Sequence, residues 1–281
     1  MVHGIITSDG SFILSFIQLF NHSTIQSFIH PILHTFLLFL STAGGSANPK
    51  IRPQGKARQA GLNNPSLLKI LGGSAKGLRL DSPQVYLRPM MGKVKEAIYS
   101  TLTSFGLYET ASTKHFDIFA GSGSVGLESL SRGASHCTFV DLSEDCCSAI
   151  QRNLNWCKFE EQGQVVCGDA IKVLNDPYGH GIPIYQQFQV VTLGPPYEEI
   201  VYADLIDAVA NCPAVGEDTI IVIEYPIELG CLPHVFDRKN GGKLIGLRNR
   251  RYGRTVIAMY IVNPTGKLTG ADSRPEEFIS I

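Results

Sequence analysis

No lysine or arginine precedes Lys50, and Asp9 is the only acid before Asp81. A secretory signal opens on a basic stretch, so that reading is excluded for the first part of the chain. Long hydrophobic runs are also missing. The most apolar piece, FIHPILHTFLLFL at 28–40, is broken by two histidines and a proline. It is shorter than the ~18–20 apolar residues that cross a bilayer, so no stable membrane insertion is expected. None of the seven cysteines forms a C-x-x-C, and their odd number has no framework spacing. That argues against a disulfide scaffold and for reduced thiols in an intracellular compartment, the vicinal Cys146–Cys147 pair included. No internal repeat is present.

What the chain has is uneven charge. Seven bases fall between Lys50 and Arg79, whereas residues 81–281 carry 24 acids against 17 bases. An acid-poor, Ser-rich leader followed by a basic stretch reads as an organelle transit segment, with a chloroplast ahead of a mitochondrion. Residues 1–66 are therefore expected to be leader plus basic linker, the linker running over the Gly- and Pro-bearing stretch 42–66. The length, 281 residues with 44% hydrophobic content, suffices for one substantial domain plus this appendage. That domain is expected over 67–265, with 266–281 as a tail and the protein a monomer.

From residue 67 the pattern becomes regular. LLKILGG (67–73) reads as a short strand. Helical spacing follows over 88–106, with Val94, Ile98, Leu102 and Phe105 on one face. Strands are expected at 115–120, 136–141, 163–170, 190–193 and 219–225. Helices are expected at 124–133, 143–157 and 202–212, the second capped by Ser143. KLIGLRNRRYGRTVIAMYIV (243–262) reads as an edge hairpin. Repeated βα units give an α/β fold of Rossmann-like type, a mostly parallel sheet with helices on both faces and an antiparallel terminal hairpin.

FAGSGSVG leaves the first strand and enters a helix, so Gly121, Gly123 and Gly126 match G-x-G-x-x-G in the right context. Backbone N–H groups there can approach a ligand at the helix N-terminus. Asp141 ends the next strand, placed for ribose hydroxyls. This much fits either NAD or S-adenosylmethionine. Asp117 inside the first strand favours the second, since it puts negative charge where a pyrophosphate would be repelled. Asp169 at the end of the third strand, placed for an adenine amino group, points the same way. So does Pro195-Pro196-Tyr197 after the fourth.

Over about residues 68–262 the chain resembles the class I S-adenosylmethionine-dependent methyltransferases, and more closely the RsmD-type guanine-N2 methyltransferases of small-subunit ribosomal RNA. The resemblance rests on Ile70-Leu71-Gly72-Gly73 with Lys76-Gly77-Leu78-Arg79, and on Leu87-Arg88-Pro89 with Val94-Lys95-Glu96-Ala97. It continues through Asp117-Ile118-Phe119-Ala120-Gly121-Ser122-Gly123, the Gly126–Gly133 helix and Pro195-Pro196-Tyr197. It implies a seven-stranded sheet, S-adenosylmethionine as cofactor, and a cofactor site of Asp117, Phe119, Ala120, Gly121, Gly123, Asp141 and Asp169. It also implies a catalytic loop, Gly194, Pro195, Pro196 and Tyr197. In enzymes with an (Asp/Asn)-Pro-Pro-(Tyr/Phe) loop, a side chain and a backbone carbonyl hold the two hydrogens of a base's exocyclic amine. That aims the nitrogen lone pair at the methyl group. The aromatic residue stacks on the extruded base. Here Gly194 stands where the family has Asp or Asn, so one acceptor is absent as a side chain. The carbonyls of Gly194 and Pro195, together with Thr192, are the candidates left.

Two basic clusters suit a phosphate backbone. Lys50 to Lys95 holds ten bases, and Arg238 to Arg254 holds seven with no acid. Lys76, Arg79, Arg88, Arg248, Arg250, Arg251 and Arg254 are the expected RNA contacts, and small-subunit ribosomal RNA or the assembling subunit is the expected partner. An RNA-binding assembly factor that keeps the fold without catalysis is the rival reading, with Gly194 as its argument. An NAD-dependent oxidoreductase stands third, because no substrate domain with a catalytic His or Tyr-Lys set follows.

Overall fold

The computed structural model describes residues 68–281 apart from 86, 111 and 240; the expected leader and linker, 1–66, lie outside the described residues. The elements follow in the order α1 (Gly92–Ser104), β1 (Lys114–Ile118), α2 (Ser124–Ser131), β2 (His136–Asp141), α3 (Glu144–Cys157), β3 (Gly163–Cys167) and α4 (Ala170–Asn175). Then come β4 (Phe188–Leu193), α5 (Tyr202–Asn211), β5 (Val215–Pro226), β6 (Val235–Asp237), β7 (Lys243–Tyr252) and β8 (Thr255–Val262). One sheet has the order β3-β2-β1-β4-β5-β8-β7-β6. Strands β1 to β5 pair in parallel. Strand β8 runs antiparallel to both of its neighbours.

Strands covered on both faces explain the apolar runs read in the sequence. Side chains alternate along each strand, so Phe139 packs with Leu127, Ile150 and Leu154, while its neighbour Val140 joins Leu205 and Val209 across the sheet. Helix α1 closes a third cluster through Ile98 and Leu102 against Val190, Val222 and Ile257. Ser143 caps α3 by accepting from Cys146 N, and Glu144 and Asp145 in the first turn suit the positive end of the helix. All seven cysteines are free thiols.

Several expectations change. In place of a strand over 67–73, the described residues show one isolated bridge, Lys69 to Arg79, closing a loop through Ile70 N to Leu78 O at 3.0 Å. The 243–262 hairpin is not at the edge, because β6 pairs with the outer side of β7 and takes that place. The three-residue β6 makes the sheet eight-stranded, and it is too short to leave a periodic signal. Helix α4 is an addition to the expected elements; six residues fall below the length at which periodicity speaks. The segment after 265 is packed: Phe278 is buried, and Arg274 N donates to Gly246 O.

Candidate active site

The two loops singled out in the sequence leave adjacent strands at one edge of the sheet. Asp117 pairs with Thr192 and Ile118 with Leu193 in the parallel register. The glycine-rich turn after β1 and the Pro-Pro-Tyr turn after β4 therefore begin side by side. This is the carboxyl edge, where ligands of open α/β sheets bind.

The first turn is wound tightly. Phe119, Gly121 and Gly123 have φ of 61°, 58° and 75°. The left-handed value at Phe119 costs a side-chain-bearing residue about 1–2 kcal/mol, so the surrounding structure must enforce it. Part of that enforcement is Ala120, whose N–H donates to Val140 O at 3.0 Å. A Cβ on Gly126 would come within 2.3 Å of the Phe139 ring, so the third glycine of the motif lets α2 lie close on β2. Asp141 closes the turn from the neighbouring strand: Oδ2 accepts from Gly121 N at 2.8 Å and Oδ1 from Ser143 N at 3.0 Å. Leu142, the next residue, is 72% exposed. Asp169 caps α4, one oxygen accepting from Lys172 N at 2.9 Å.

Asp117 lies beneath the turn and not at its open face. It is 3% exposed; Oδ2 accepts from Gly126 N at 2.8 Å and Oδ1 from Thr192 Oγ1 at 2.6 Å. Burial pushes its carboxyl up to about 7 despite these two donors. Its role here is to hold the start of α2 to the end of β4. Thr192, a candidate acceptor for a substrate amine, is likewise committed. Its hydroxyl proton goes to Asp117, so His115 Nε2, 2.9 Å away, donates to its oxygen. Nδ1 of that histidine has no partner, and burial lowers its pKa to about 3. His115 belongs to no sequence motif, and only the fold brings it to the site.

The second turn is braced at its tip. Tyr197 Oη donates to Glu224 Oε1 at 2.7 Å and lies 3.0 Å from Thr255 Oγ1. The Arg88 guanidinium stands 4.7 Å over the Tyr197 ring and donates to Thr255 Oγ1 at 3.2 Å. Leu87 lies against Gly121, so the Leu87-Arg88 pair touches both turns. Beside Tyr197 an open cleft of about 520 Å³ is lined by Ile200, Val201, Tyr202, Pro226 and Leu229. Its walls are mostly apolar, with Glu228 among them, and suit a flat heterocycle. Gly194 is exposed, its φ is not in the left-handed region, and a Cβ built on it meets nothing within 4 Å.

A buried charge knot anchors the segment in front of the site. Glu128, fully buried, accepts from Leu71 N at 2.7 Å and Gly72 N at 2.8 Å. It also pairs with Lys95 at 3.4 Å and Arg132 at 2.9 Å. Desolvation lowers the pKa of Lys95, which Glu128 counteracts.

The basic residues divide. Lys76, Arg79, Arg88, Arg250, Arg251 and Arg254 are exposed. Arg250 and Arg254 pair loosely or on the surface with Glu277 and Glu228. Arg248 is a correction: it is 8% exposed, and its guanidinium donates to the carbonyls of Leu247, Asp272 and Gly270 and stands over the Phe105 ring. It braces the C-terminal segment, and a phosphate has no access to its donors.

This fold and site define a class I methyltransferase, and the residues fit S-adenosylmethionine. The turn opens beside an acceptor carboxylate and an exposed leucine, surroundings that suit a cationic cofactor with ribose and adenine better than a pyrophosphate. Residues 68–261 match the family model described as conserved hypothetical protein 95, and the chain belongs to that family, the RsmD-like S-adenosylmethionine-dependent methyltransferases. It is 31% identical over 194 residues to "Putative rRNA methyltransferase YlbH" of Bacillus subtilis, covering 69% of this chain and 98% of that one. It is 28% identical to "Ribosomal RNA small subunit methyltransferase D" of Escherichia coli K12, over 60% of this chain and 79% of that one. Among solved structures, "Putative methyltransferase yhhF" from Escherichia coli superposes with a TM-score of 0.56 at 23% identity, over 69% of this chain and 97% of that one, which speaks to the fold.

Proposed function

We propose that this protein methylates the exocyclic N2 amine of a guanine in small-subunit ribosomal RNA, inside an organelle, with a chloroplast favoured over a mitochondrion. The observation that carries the reading is the β1–β4 register, which sets the glycine-rich turn and the Pro-Pro-Tyr turn next to each other. S-adenosylmethionine, when bound, supplies an electrophilic methyl carbon. Asp141 and the N-terminus of α2 hold its ribose and amino-acid parts, and the free oxygen of Asp169 takes the adenine amino group. Tyr197 stacks on the extruded base, and the carbonyls of Gly194 and Pro195, fixed by the prolines, accept amine hydrogens. The exposed bases Lys76, Arg79, Arg250, Arg251 and Arg254 hold the RNA backbone. Names of relatives that refer to the small ribosomal subunit support the substrate.

Incubation with tritiated S-adenosylmethionine and small ribosomal subunits from a bacterial strain deleted for its own family member tests this; label should enter the RNA. A fusion of residues 1–66 to a fluorescent protein should reach an organelle. Diffuse fluorescence would refute the leader reading. One observation favours a second function. Gly194 removes a catalytic side chain, and a protein that binds the subunit without labelling it would be an assembly factor.

A further inference from the structure

The side chain absent at Gly194 has a counterpart one strand away. Leu193 of β4 pairs with Ile223 of β5 in the parallel register. Carried one residue further, that register sets Glu224 level with Gly194. Level residues on adjacent strands project to the same face of a sheet. Glu224 is a half-buried carboxylate in an otherwise apolar run, TIIVIEY. Its Oε1 accepts from Tyr197 Oη at 2.7 Å. Its Oε2 has no hydrogen-bond or ion-pair partner among the described residues, and it is not sealed from solvent. The space at Gly194 is open, with no atom within 4 Å of where a Cβ would stand.

We propose that Glu224 is the missing acceptor: its Oε2 takes a hydrogen bond from the exocyclic amine of the target base, in place of the side chain absent at Gly194. This rests on the guanine-amine reading above. The Tyr197 hydroxyl fixes the carboxylate by occupying its other oxygen, so the stacking residue and the acceptor are held as one unit. On transfer, a carbon–nitrogen bond forms at the amine, and the carbon–sulfur bond breaks with its electron pair kept by sulfur. The surplus amine proton passes to Glu224 Oε2 and then to water. Burial raises the Glu224 carboxyl above its ordinary range, while the Tyr197 hydroxyl and the nearby Arg88 guanidinium pull it back, which suits a group that must take a proton.

The test uses Glu224→Gln, close in shape. The amide oxygen can keep the Tyr197 bond, but its NH2 offers a donor where an acceptor is needed. Calorimetry with S-adenosylhomocysteine should show unchanged affinity. The fluorescence of 2-aminopurine riboside, which carries the same exocyclic amine, should report binding about tenfold weaker than to wild type with no methyl donor present. Purine riboside, without the amine, should bind both forms alike. The methylation rate on small ribosomal subunits should fall ~10–1000-fold, the range for losing one oriented partner of a reacting group. Gly194→Asp added to Glu224→Gln should restore much of it, and Glu224→Asp alone should retain more activity than Glu224→Gln. Wild-type amine methylation with an equally fast Glu224→Gln, or equal 2-aminopurine binding, overturns the inference alone. A wild-type protein that methylates no exocyclic amine overturns the guanine-amine reading, and this inference with it.

Discussion

Oδ2 of Asp141, at the end of β2, accepts the backbone N–H of Gly121 from the turn after the adjacent strand β1, at 2.8 Å. One carboxylate thus shapes the cofactor turn and presents its charge beside it. Asp141→Ala should weaken S-adenosylhomocysteine binding by ~1.5–3 kcal/mol, the loss of a charged hydrogen-bond partner. Calorimetry on the folded variant checks this, and unchanged affinity would place the ribose elsewhere.

Asp117 and His115 should oppose each other in the pH dependence of stability. The Asp117 carboxyl rises on folding from 3.8 to about 7. The native state then holds a proton that the unfolded chain has lost, so this group's contribution falls as pH rises from about 4 to about 7. The His115 imidazole drops from 6.5 to about 3, so its contribution rises with pH between those values. Each slope is about 1.4 kcal/mol per pH unit where one group alone is in play, and they cancel between about pH 4 and 6.5. In that window Asp117→Asn should gain stability with rising pH relative to wild type, and His115→Gln should lose it. Urea unfolding at pH 4.5 and 6.5 reads the difference; curves parallel to wild type would mean that neither group titrates as described.

Glu128 holds Leu71 and Gly72 through their N–H groups and neutralises the buried Lys95. Glu128→Ala leaves that ammonium without its carboxylate and should cost about 3–5 kcal/mol in chemical unfolding. A loss below about 1 kcal/mol would show that the knot relaxes or that water replaces the carboxylate.

The arginines of β7 should separate by exposure. Arg251→Ala should flatten the log–log salt dependence of RNA affinity by ~0.7–0.9, one phosphate contact. Arg248→Ala should leave the slope unchanged and lower the melting temperature, because its guanidinium ties Asp272 and Gly270 to the sheet. The reverse pattern would put the RNA on the other side of the strand.

The sheet and both turns were legible because their signals are local: apolar runs for doubly covered strands, glycines at left-handed positions, prolines that stop a strand. Asp141 was legible for the same reason, standing at the end of a strand. What was not legible depends on which strands become neighbours. His115, Thr192 and Asp117 form one chain only because β4 lies against β1, though 75 residues separate the last two. Glu224 is the lone acid in the apolar run 219–225, a signal present in the sequence. Its meaning requires knowing that β5 sits beside β4. Arg248 shows the opposite failure: a charge cluster in sequence does not say which member the C-terminal segment folds over.

The central claim is a methyl group on a guanine amine, and nucleoside mass spectrometry reads it directly. Small ribosomal subunits from a strain lacking the family's modification are incubated with the protein and S-adenosylmethionine, and the RNA is digested to nucleosides. The account predicts N2-methylguanosine, appearing with wild type and absent with Tyr197→Ala, while Tyr197→Ala still binds S-adenosylhomocysteine. Methylation at a ring nitrogen, a ribose hydroxyl or another base, or no methylated nucleoside at all, would contradict it.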